Sequence, residues 1–196
     1  MADSPWSGFD RLTEITMGPL AVLLPMYRES TAVRRLRLSD LAAFHTYRSD
    51  ETLARFQGWS AMNLETARAF LTEMAGADGL RQGDWIQLGI AEKESDLLIG
   101  DLGLFLDEDL SVAEVGFTLS RHAQGRGHAT RATSAVLDLV FAASPVRQIR
   151  ALADSRNLPS IKVLERIGFR RVSERQTVFK SEPCTEFCYV YRRAGA

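Results

Sequence analysis

The chain has 196 residues, of which 45% are hydrophobic and 25% are charged, and this is the composition of a globular protein with a sizeable core. Two full domains would be cramped in this length, so one compact domain with an extension is predicted. Lys and Arg number 24 against 25 Asp and Glu, which excludes a general attraction to nucleic acid and leaves only a local basic patch.

The N-terminal segment is weakly patterned. Residues 1–31 contain three prolines and two glycines, which argue against long regular structure. We interpret them as an N-terminal extension and residues 32–196 as the domain. No stretch approaches the roughly 20 apolar residues that span a bilayer, so a cytoplasmic protein with no membrane partner is expected.

A strand and two helices are predicted after this extension. Residues 33–38 alternate apolar and basic side chains, which is typical of a half-buried strand. The Ser-Asp pair at 39–40 supplies a helix start, and Asn63 is a cap for a second helix that ends near Gly76. Residues 56–59 form a predicted loop between the two helices.

A meander and a longer helix are predicted next. Strand-like segments at residues 85–92, 97–106 and 112–119 are separated by turn-rich residues, and an antiparallel meander is their simplest arrangement. Apolar residues then recur at helical spacing from Ala129 to Ala143, which predicts a helix packed on the sheet.

The remaining elements are a strand, a helix and two closing strands. Residues 149–153 are typical of a buried strand, and Asn157 opens a helix that Gly168 stops. Residues 171–179 and 186–191 are the two predicted closing strands.

One turn, at residues 124–129, has the pattern of an anion site. Gly125 and Gly127 follow a strand and precede a helix, where free main-chain N–H groups and the positive end of the helix dipole converge. Glycine lets the backbone approach phosphate oxygens, Arg126 adds positive charge, and Ala129 permits close packing. The turn predicts a diphosphate site, although its two glycines alone also suit an ordinary strand-to-helix connection.

Two common nucleotide motifs do not fit this turn. A Rossmann fingerprint requires a third Gly or Ala where Thr130 stands, and a P-loop requires Gly-Lys-Ser/Thr. The turn instead matches Gln/Arg-x-x-Gly-x-Gly/Ala at Gln124, Gly127 and Ala129. In this it resembles the acetyl-CoA pyrophosphate motif of the GNAT N-acetyltransferases.

Further motifs extend the resemblance to about residues 32–192. Residues 113–117 read Ala-Glu-Val-Gly-Phe, residues 98–103 read Leu-Ile-Gly-Asp-Leu-Gly, and residues 157–169 read Asn-x-x-Ser-x-x-Val-Leu-Glu-x-x-Gly-Phe. They are similar to the branch that includes the ribosomal-protein-alanine N-acetyltransferases. The resemblance implies an α/β (α+β) fold: a mixed, mostly antiparallel, twisted sheet of six to seven strands, flanked by helices and splayed between the fourth and fifth strands.

The resemblance also implies an activity, the transfer of an acetyl group from acetyl-CoA to a primary amine by direct attack in a ternary complex. The backbone of residues 117–119 would pair with the pantetheine arm, residues 124–130 would hold the pyrophosphate, and Asn157 would reach the pantetheine or serve only as a helix cap. The implied cofactor-binding residues are Phe117, Thr118, Leu119, Gln124, Gly125, Arg126, Gly127, His128, Ala129, Thr130 and Asn157.

Acyl transfer needs a neutral amine and a proton for the departing thiolate. Strand alternation keeps Glu114 off the most apolar face, and the resemblance makes it the first candidate base. Asp101 in a neighbouring strand and water are the alternatives. Many relatives use a tyrosine as the acid; here Ser160 is the candidate, or a serine that only satisfies local backbone.

The acceptor site is less defined. Phe56, Trp59 and Trp85 are candidates to line a pocket, and Asp101 with the acidic turn at 107–109 is a candidate to attract an amine. Core aromatics and a solvated hairpin explain the same residues equally well. The acceptor, a protein N-terminus or a small-molecule amine, is left open, as is a homodimer. An acyl-CoA-binding regulatory or interaction module without turnover is the alternative.

The two cysteines predict neither a disulfide nor a metal site. Cys184 and Cys188 lie about 13 Å apart on a predicted strand at about 3.3 Å per residue, too far to pair with each other. They lack the further Cys or His ligands of a zinc site, so no metal is expected.

Overall fold

An eight-stranded sheet runs through the computed structural model, which describes residues 23–77 and 82–193. The strands are β1 (Met26–Arg28), β2 (Thr31–Arg35), β3 (Trp85–Glu92), β4 (Leu98–Leu106), β5 (Val112–Leu119), β6 (Gln148–Asp154), β7 (Arg170–Phe179) and β8 (Glu182–Arg192). The helices are α1 (Leu41–Arg48), α2 (Glu51–Ala54), α3 (Leu64–Gly76), α4 (His128–Ala143) and α5 (Leu158–Ile167), with 3-10 turns at Leu38–Asp40 and Arg121–Ala123. Among these helices, none is long and apolar enough to cross a membrane.

The sheet is mixed and opens at one point. Its strand order is β1-β2-β3-β4-β5-β6-β8-β7, and every neighbouring pair is antiparallel except β5 and β6. These two strands pair in parallel only from Val112–Gln148 to Glu114–Arg150. Beyond that point β6 continues beside β8 as far as Asp154. The predicted splay between the fourth and fifth strands is confirmed, and these strands are β5 and β6.

The sheet has one strand more than the sequence predicts. Strand β1 lies inside the segment interpreted as the N-terminal extension, and it pairs with β2 through residues 26–28. Three residues are too few for an alternation pattern to predict a strand. Residues 1–22 of the extension lie outside the described residues.

Helices pack on both faces of the sheet, so β4 is buried at nearly every position. Leu102 and Leu104 of β4 join α4 and α5 in the larger buried cluster. On the other face, Asp101 contacts α1, whose Phe44 forms a smaller cluster with Leu71 of α3. A strand covered on both faces is long and apolar, as β4 is.

The helix ends follow the predicted capping residues. Asn63 Oδ1 accepts the Thr66 N–H at 2.8 Å, and Asn157 Oδ1 accepts the Ser160 N–H at 3.4 Å. Gly168 ends α5 at φ +106°, a conformation that favours glycine. The cap role of Asn157 is therefore present in the fold, whatever else this side chain does.

Candidate functional site

The gap between β5 and β6 exposes main-chain groups of β5. The Phe117 carbonyl accepts a weak hydrogen bond from Gln57 Nε2 at 3.4 Å, and the Leu119 carbonyl accepts one from Gln124 Nε2 at 3.0 Å. Both carbonyls belong to the segment that has no β6 partner. An extended ligand placed in the gap would find strand-like hydrogen-bonding groups there.

The turn at residues 124–129 lies just past this gap, at the start of α4. Gly125 and Gly127 have φ values of +74° and +80°, which favour glycine. The six consecutive N–H groups of residues 125–130 make no hydrogen bond of ordinary geometry within the described part of the chain. A Cβ on Gly125 would meet no atom within 4 Å. The turn is therefore a row of free donors at a helix N-terminus, with room for a ligand.

Arg131, one turn into α4, braces this turn. Its Nη2 donates to the Arg126 carbonyl at 2.7 Å, and its Nε donates to Thr31 Oγ1 at 3.0 Å. Its Nη1 lies 3.3 Å from Glu29 Oε2. A Cβ on Gly127 would come within 2.8 Å of the same guanidinium. The sequence analysis did not predict this role for Arg131. Its position one helical turn after Gly127 was the available signal, because a side chain there can reach back to the turn.

The two charged side chains in the turn behave differently. Arg126 is exposed, and its Nη1 lies 3.3 Å from Glu92 Oε1. His128 is only 2% exposed, and its Nδ1 lies 2.8 Å from Thr31 Oγ1. Burial, Arg131 and Arg126 together lower the pKa of His128. His128 is among the implied cofactor-binding residues, but its side chain is buried against Thr31 of β2, so only its main-chain N–H is left as a candidate phosphate contact.

Glu114 stands where β5 and β6 separate. Arg150 of β6 pairs with it across the strands, and Arg150 Nε donates to Glu114 Oε2 at 2.6 Å. The Glu114 side chain is 17% exposed, and its Oε1 accepts no hydrogen bond from the described residues. One oxygen is thus anchored by a cation while the other remains available to a ligand.

Asp101 is placed differently from Glu114. It is fully buried and accepts hydrogen bonds from Arg48 Nε at 2.9 Å, Arg48 Nη2 at 2.8 Å, Tyr47 Oη at 2.6 Å and Gln87 Nε2 at 2.7 Å. Burial and the nearby Asp101 charge raise the pKa of Tyr47. The structure argues against Asp101 as a base or an amine ligand, because four hydrogen bonds occupy its oxygens beneath α1.

Ser160 lies in the first turn of α5, which follows β6. Its N–H is bound by the Asn157 cap, but its hydroxyl makes no hydrogen bond in the described ranges. The residue is half-buried, and α5 begins four residues after the end of β6. The hydroxyl is therefore not committed to a partner in the described residues, and both roles considered for Ser160 stay open at this point.

The aromatic candidates lie on the face that carries Glu114. Cross-strand register places Trp85, Phe105, Glu114 and Arg150 in one row across four strands. Trp85 is 49% exposed and its ring lies 5.5 Å from that of Phe105. Trp59 lies instead over the Arg48 guanidinium, at 4.4 Å from its centroid to Cζ. Trp85 therefore lies two strands away from Glu114 in this row. Trp59 covers Arg48, the ion-pair partner of Asp101.

The acidic turn at 107–109 has a local role in the structure. Asp107 accepts from the Val112 N–H and the Ser111 hydroxyl, and Asp109 accepts from the Ser111 N–H. Its carboxylates close the β4–β5 hairpin, which is the solvated-hairpin alternative. Attraction of an amine by this turn is not supported.

A groove of about 590 Å³ lies between α2 and the β7–β8 turn. Lys180 closes one side, because its Nζ donates to the Ala54 carbonyl at 2.8 Å and to the Trp59 carbonyl at 2.6 Å. Burial lowers the pKa of Lys180. Arg156, whose Cζ lies 5.7 Å from the Phe56 ring centroid, lines the groove near α5. No local signal predicts these contacts, since Lys180 and its acceptors are more than 120 residues apart.

Comparisons with known proteins agree with this geometry. The acetyltransferase (GNAT) domain family matches residues 31–170. The Bacillus licheniformis protein named uncharacterized N-acetyltransferase p20 is 26% identical over 147 residues, which are 74% of this chain and 82% of that protein.

Solved structures share the fold. A GNAT-family acetyltransferase from Bacillus anthracis has a TM-score of 0.77 at 22% identity and covers 86% of this chain and 98% of its own. RimL, described as a ribosomal L7/L12 alpha-N-protein acetyltransferase in complex with coenzyme A, has a TM-score of 0.72 at 15% identity and covers 84% of this chain and 95% of its own.

Proposed function

Because this chain belongs to the GNAT acetyltransferase family, we propose that it transfers the acetyl group of acetyl-CoA to a primary amine held beside it in a ternary complex. The observation that carries the proposal is the row of six free N–H groups at residues 125–130, next to the gap between β5 and β6. Free donors at a helix N-terminus suit a diphosphate, and an open strand edge suits an extended arm.

The donor site is assigned to residues that fit it. The N–H groups of residues 125–130 would bind the diphosphate, and exposed Arg126 would turn from Glu92 toward it. The main chain of residues 117–119 would bind the pantetheine arm, with Gln57 giving up the Phe117 carbonyl. Acetyl-CoA supplies an activated thioester carbon at the end of this arm.

Glu114 is proposed as the base. An amine arrives as an ammonium ion and must lose a proton before its nitrogen can attack the thioester carbon. Glu114 Oε1 would accept that proton directly or through one water. The hydrogen bond from Arg150 fixes the carboxylate at the mouth of the gap.

Ser160 is proposed as the acid. When the new C–N bond forms and the C–S bond breaks, the sulfur leaves with a negative charge that a hydroxyl donor can neutralise. Ser160 carries a free hydroxyl in the first turn of α5, the helix that follows β6. It would give its proton to the sulfur and recover one from solvent.

The acceptor would be a protein N-terminus or a small-molecule amine. The site is open on the Glu114 face, and the name of the RimL neighbour indicates that this fold accommodates an α-amino acceptor. The alternative is a module that binds acyl-CoA without turnover. Such a module would require neither the partly free carboxylate of Glu114 nor the free hydroxyl of Ser160.

The test is amine-dependent release of free thiol from acetyl-CoA with peptides, polyamines, amino acids and aminoglycosides. Glu114→Gln should lower kcat/KM by about 10²- to 10⁴-fold and flatten the acidic limb of the pH profile. Glu174→Gln, an exposed glutamate paired with Arg171, is the matched control and should leave both unchanged. Ser160→Ala should lower kcat while acetyl-CoA binding is kept.

The outcomes separate the assignments. An unchanged pH profile in Glu114→Gln would remove the base, and unchanged turnover in Ser160→Ala would remove the acid. Binding of acetyl-CoA in calorimetry without thiol release from any amine would favour the binding module. Failure to bind acetyl-CoA would remove the whole proposal.

A further inference from the structure

The sheet face that carries Glu114 continues beyond the gap across three more strands. Register places Arg150 of β6, Val190 of β8 and Arg170 of β7 in one row with Glu114. Leu152, two residues from Arg150 on the same face, is 41% exposed, and Val190 is half-buried. We call this surface the β6–β8–β7 face; helix α5 packs on the opposite side, where Glu165 accepts from Tyr189.

The acidic side chains on the β6–β8–β7 face and at its border each have an arginine partner. Arg150 binds Glu114 at 2.6 Å, Arg156 binds Asp154 at 2.7 Å, and Arg175 binds Glu186 at 2.7 Å. Ligands reaching this face therefore meet carboxylates whose charge is already balanced.

Two arginines on the same face have no such partner. Arg170 and Arg192 are exposed, and neither forms an ion pair or a side-chain hydrogen bond within residues 23–77 and 82–193. Arg192 lies opposite Gln148 of β6, two residues along β8 from Val190. The face therefore has an excess of positive charge although the whole chain has a formal net charge of −1.

The strand register gives the distances of Arg170 and Arg192 from Glu114. Arg170 lies three strands from Glu114, a distance of about 14 Å at about 4.8 Å between neighbouring strands. Arg192 lies two strands from Glu114 and is displaced by two residues along its strand, a distance of about 12 Å. An extended peptide advances about 3.3 Å per residue. A peptide whose amine sits at Glu114 would bring its third to fifth residues within reach of the two guanidinium groups, whereas a small amine would contact neither.

Building on the proposed acetyltransferase function, we propose that the acceptor is the N-terminal segment of a polypeptide with acidic side chains at about its third to fifth positions. Its amine lies at Glu114, its chain crosses the exposed Leu152 and the half-buried Val190, and its carboxylates bind Arg170 and Arg192. Arginine suits this role because its planar fork binds a carboxylate in two places.

The test compares three peptides that share their first two residues and carry Asp, Asn or Lys at positions three to five. Wild-type enzyme should acetylate the Asp peptide with a kcat/KM about four- to twenty-fivefold above the Asn peptide, since two exposed ion pairs contribute about twofold to fivefold each. The Lys peptide should be poorest, and 0.5 M salt should reduce the preference.

Arg170→Gln and Arg192→Gln should each lower the Asp-to-Asn ratio about twofold to fivefold and leave the Asn peptide unchanged. Arg68→Gln, which removes an exposed arginine of α3, is the control of equal charge change and should keep the ratio. Anisotropy of labelled, N-terminally free peptides with CoA present should show the same order of affinity without turnover.

Two results would overturn the inference. One is equal kcat/KM for the Asp, Asn and Lys peptides; the other is a small-molecule amine that outperforms every peptide and is unaffected by both arginine variants. Either would leave the proposed function standing, because acetyl transfer would still occur. Absence of thiol release with every amine would instead contradict the proposed function. The order of peptide affinities measured by anisotropy would then test the preference for acidic peptides by itself.

Discussion

Replacing Asp101 by Asn should destabilise the protein far more than it slows acetyl transfer. In the structure Asp101 neutralises Arg48, which is itself buried and reaches it with two hydrogen bonds. Asn is nearly isosteric but carries no charge, so Arg48 would remain as an uncompensated buried cation. Tyr47, which donates to the same carboxylate at 2.6 Å, would lose a charge-assisted hydrogen bond.

The magnitude follows from this burial. Removing one partner of a buried ion pair costs about 3–5 kcal/mol, against a total stability of about 5–15 kcal/mol for a domain. For a chain of this length that corresponds to a fall in Tm of about 10 °C. Arg48→Gln should cost a similar amount, and the double variant should lose less than the sum of the two.

Urea unfolding and a pH–rate profile test the reasoning together. Asp138→Asn, which breaks the exposed ion pair with Arg28, is the matched control and should change stability by less than about 1 kcal/mol. A stable Asp101→Asn protein with a lost acidic limb in its pH–rate profile would refute the argument and restore Asp101 as the base.

Three further predictions concern the cofactor turn and the helix caps. Gly125→Ala should weaken acetyl-CoA binding at least about tenfold, because a side chain at φ +74° strains the turn and its Cβ would enter the space that the phosphates need. Gly58→Ala, at a position without positive φ, should leave the affinity unchanged, and equal affinities of Gly125→Ala and the wild type in calorimetry would argue against the turn as the site. Asn157→Ala should cost about 1 kcal/mol in urea unfolding with acetyl-CoA affinity unchanged, and a large affinity loss would instead indicate a pantetheine contact. The lowered pKa of His128 means that its contribution to stability is complete above about pH 6.5 and is lost as pH falls from there toward the lower folded-state pKa. His128→Gln should remove this part of the pH dependence between pH 8 and pH 5, and an unchanged dependence would contradict it.

Much of the fold was predictable because it depends on local pattern. Strand-like segments between turn-rich residues predicted β3 and β5 with the bounds that the structure has. Asn63 and Gly168 predicted helix ends because their side chain, or lack of one, acts within a few residues of backbone.

The candidate site was only partly predictable. The proposed donor turn could be predicted because its glycines and the helix start are adjacent in sequence. The sequence made Glu114 the first candidate base and Asp101 the alternative, and no local pattern showed that one is buried in an ion pair and the other is partly open. The difference arises because α1 brings Arg48 and Tyr47 over Asp101, whereas Glu114 lies where β5 and β6 part.

The sequence by itself determined the periodic elements, their caps and the turn, because these follow from backbone geometry over a few residues. Tertiary structure alone decided which carboxylate is buried and which is open, how Lys180 closes the groove, and where Arg170 and Arg192 stand relative to Glu114. Those relations join residues 50 to 130 positions apart, and only the order and register of the strands bring them together.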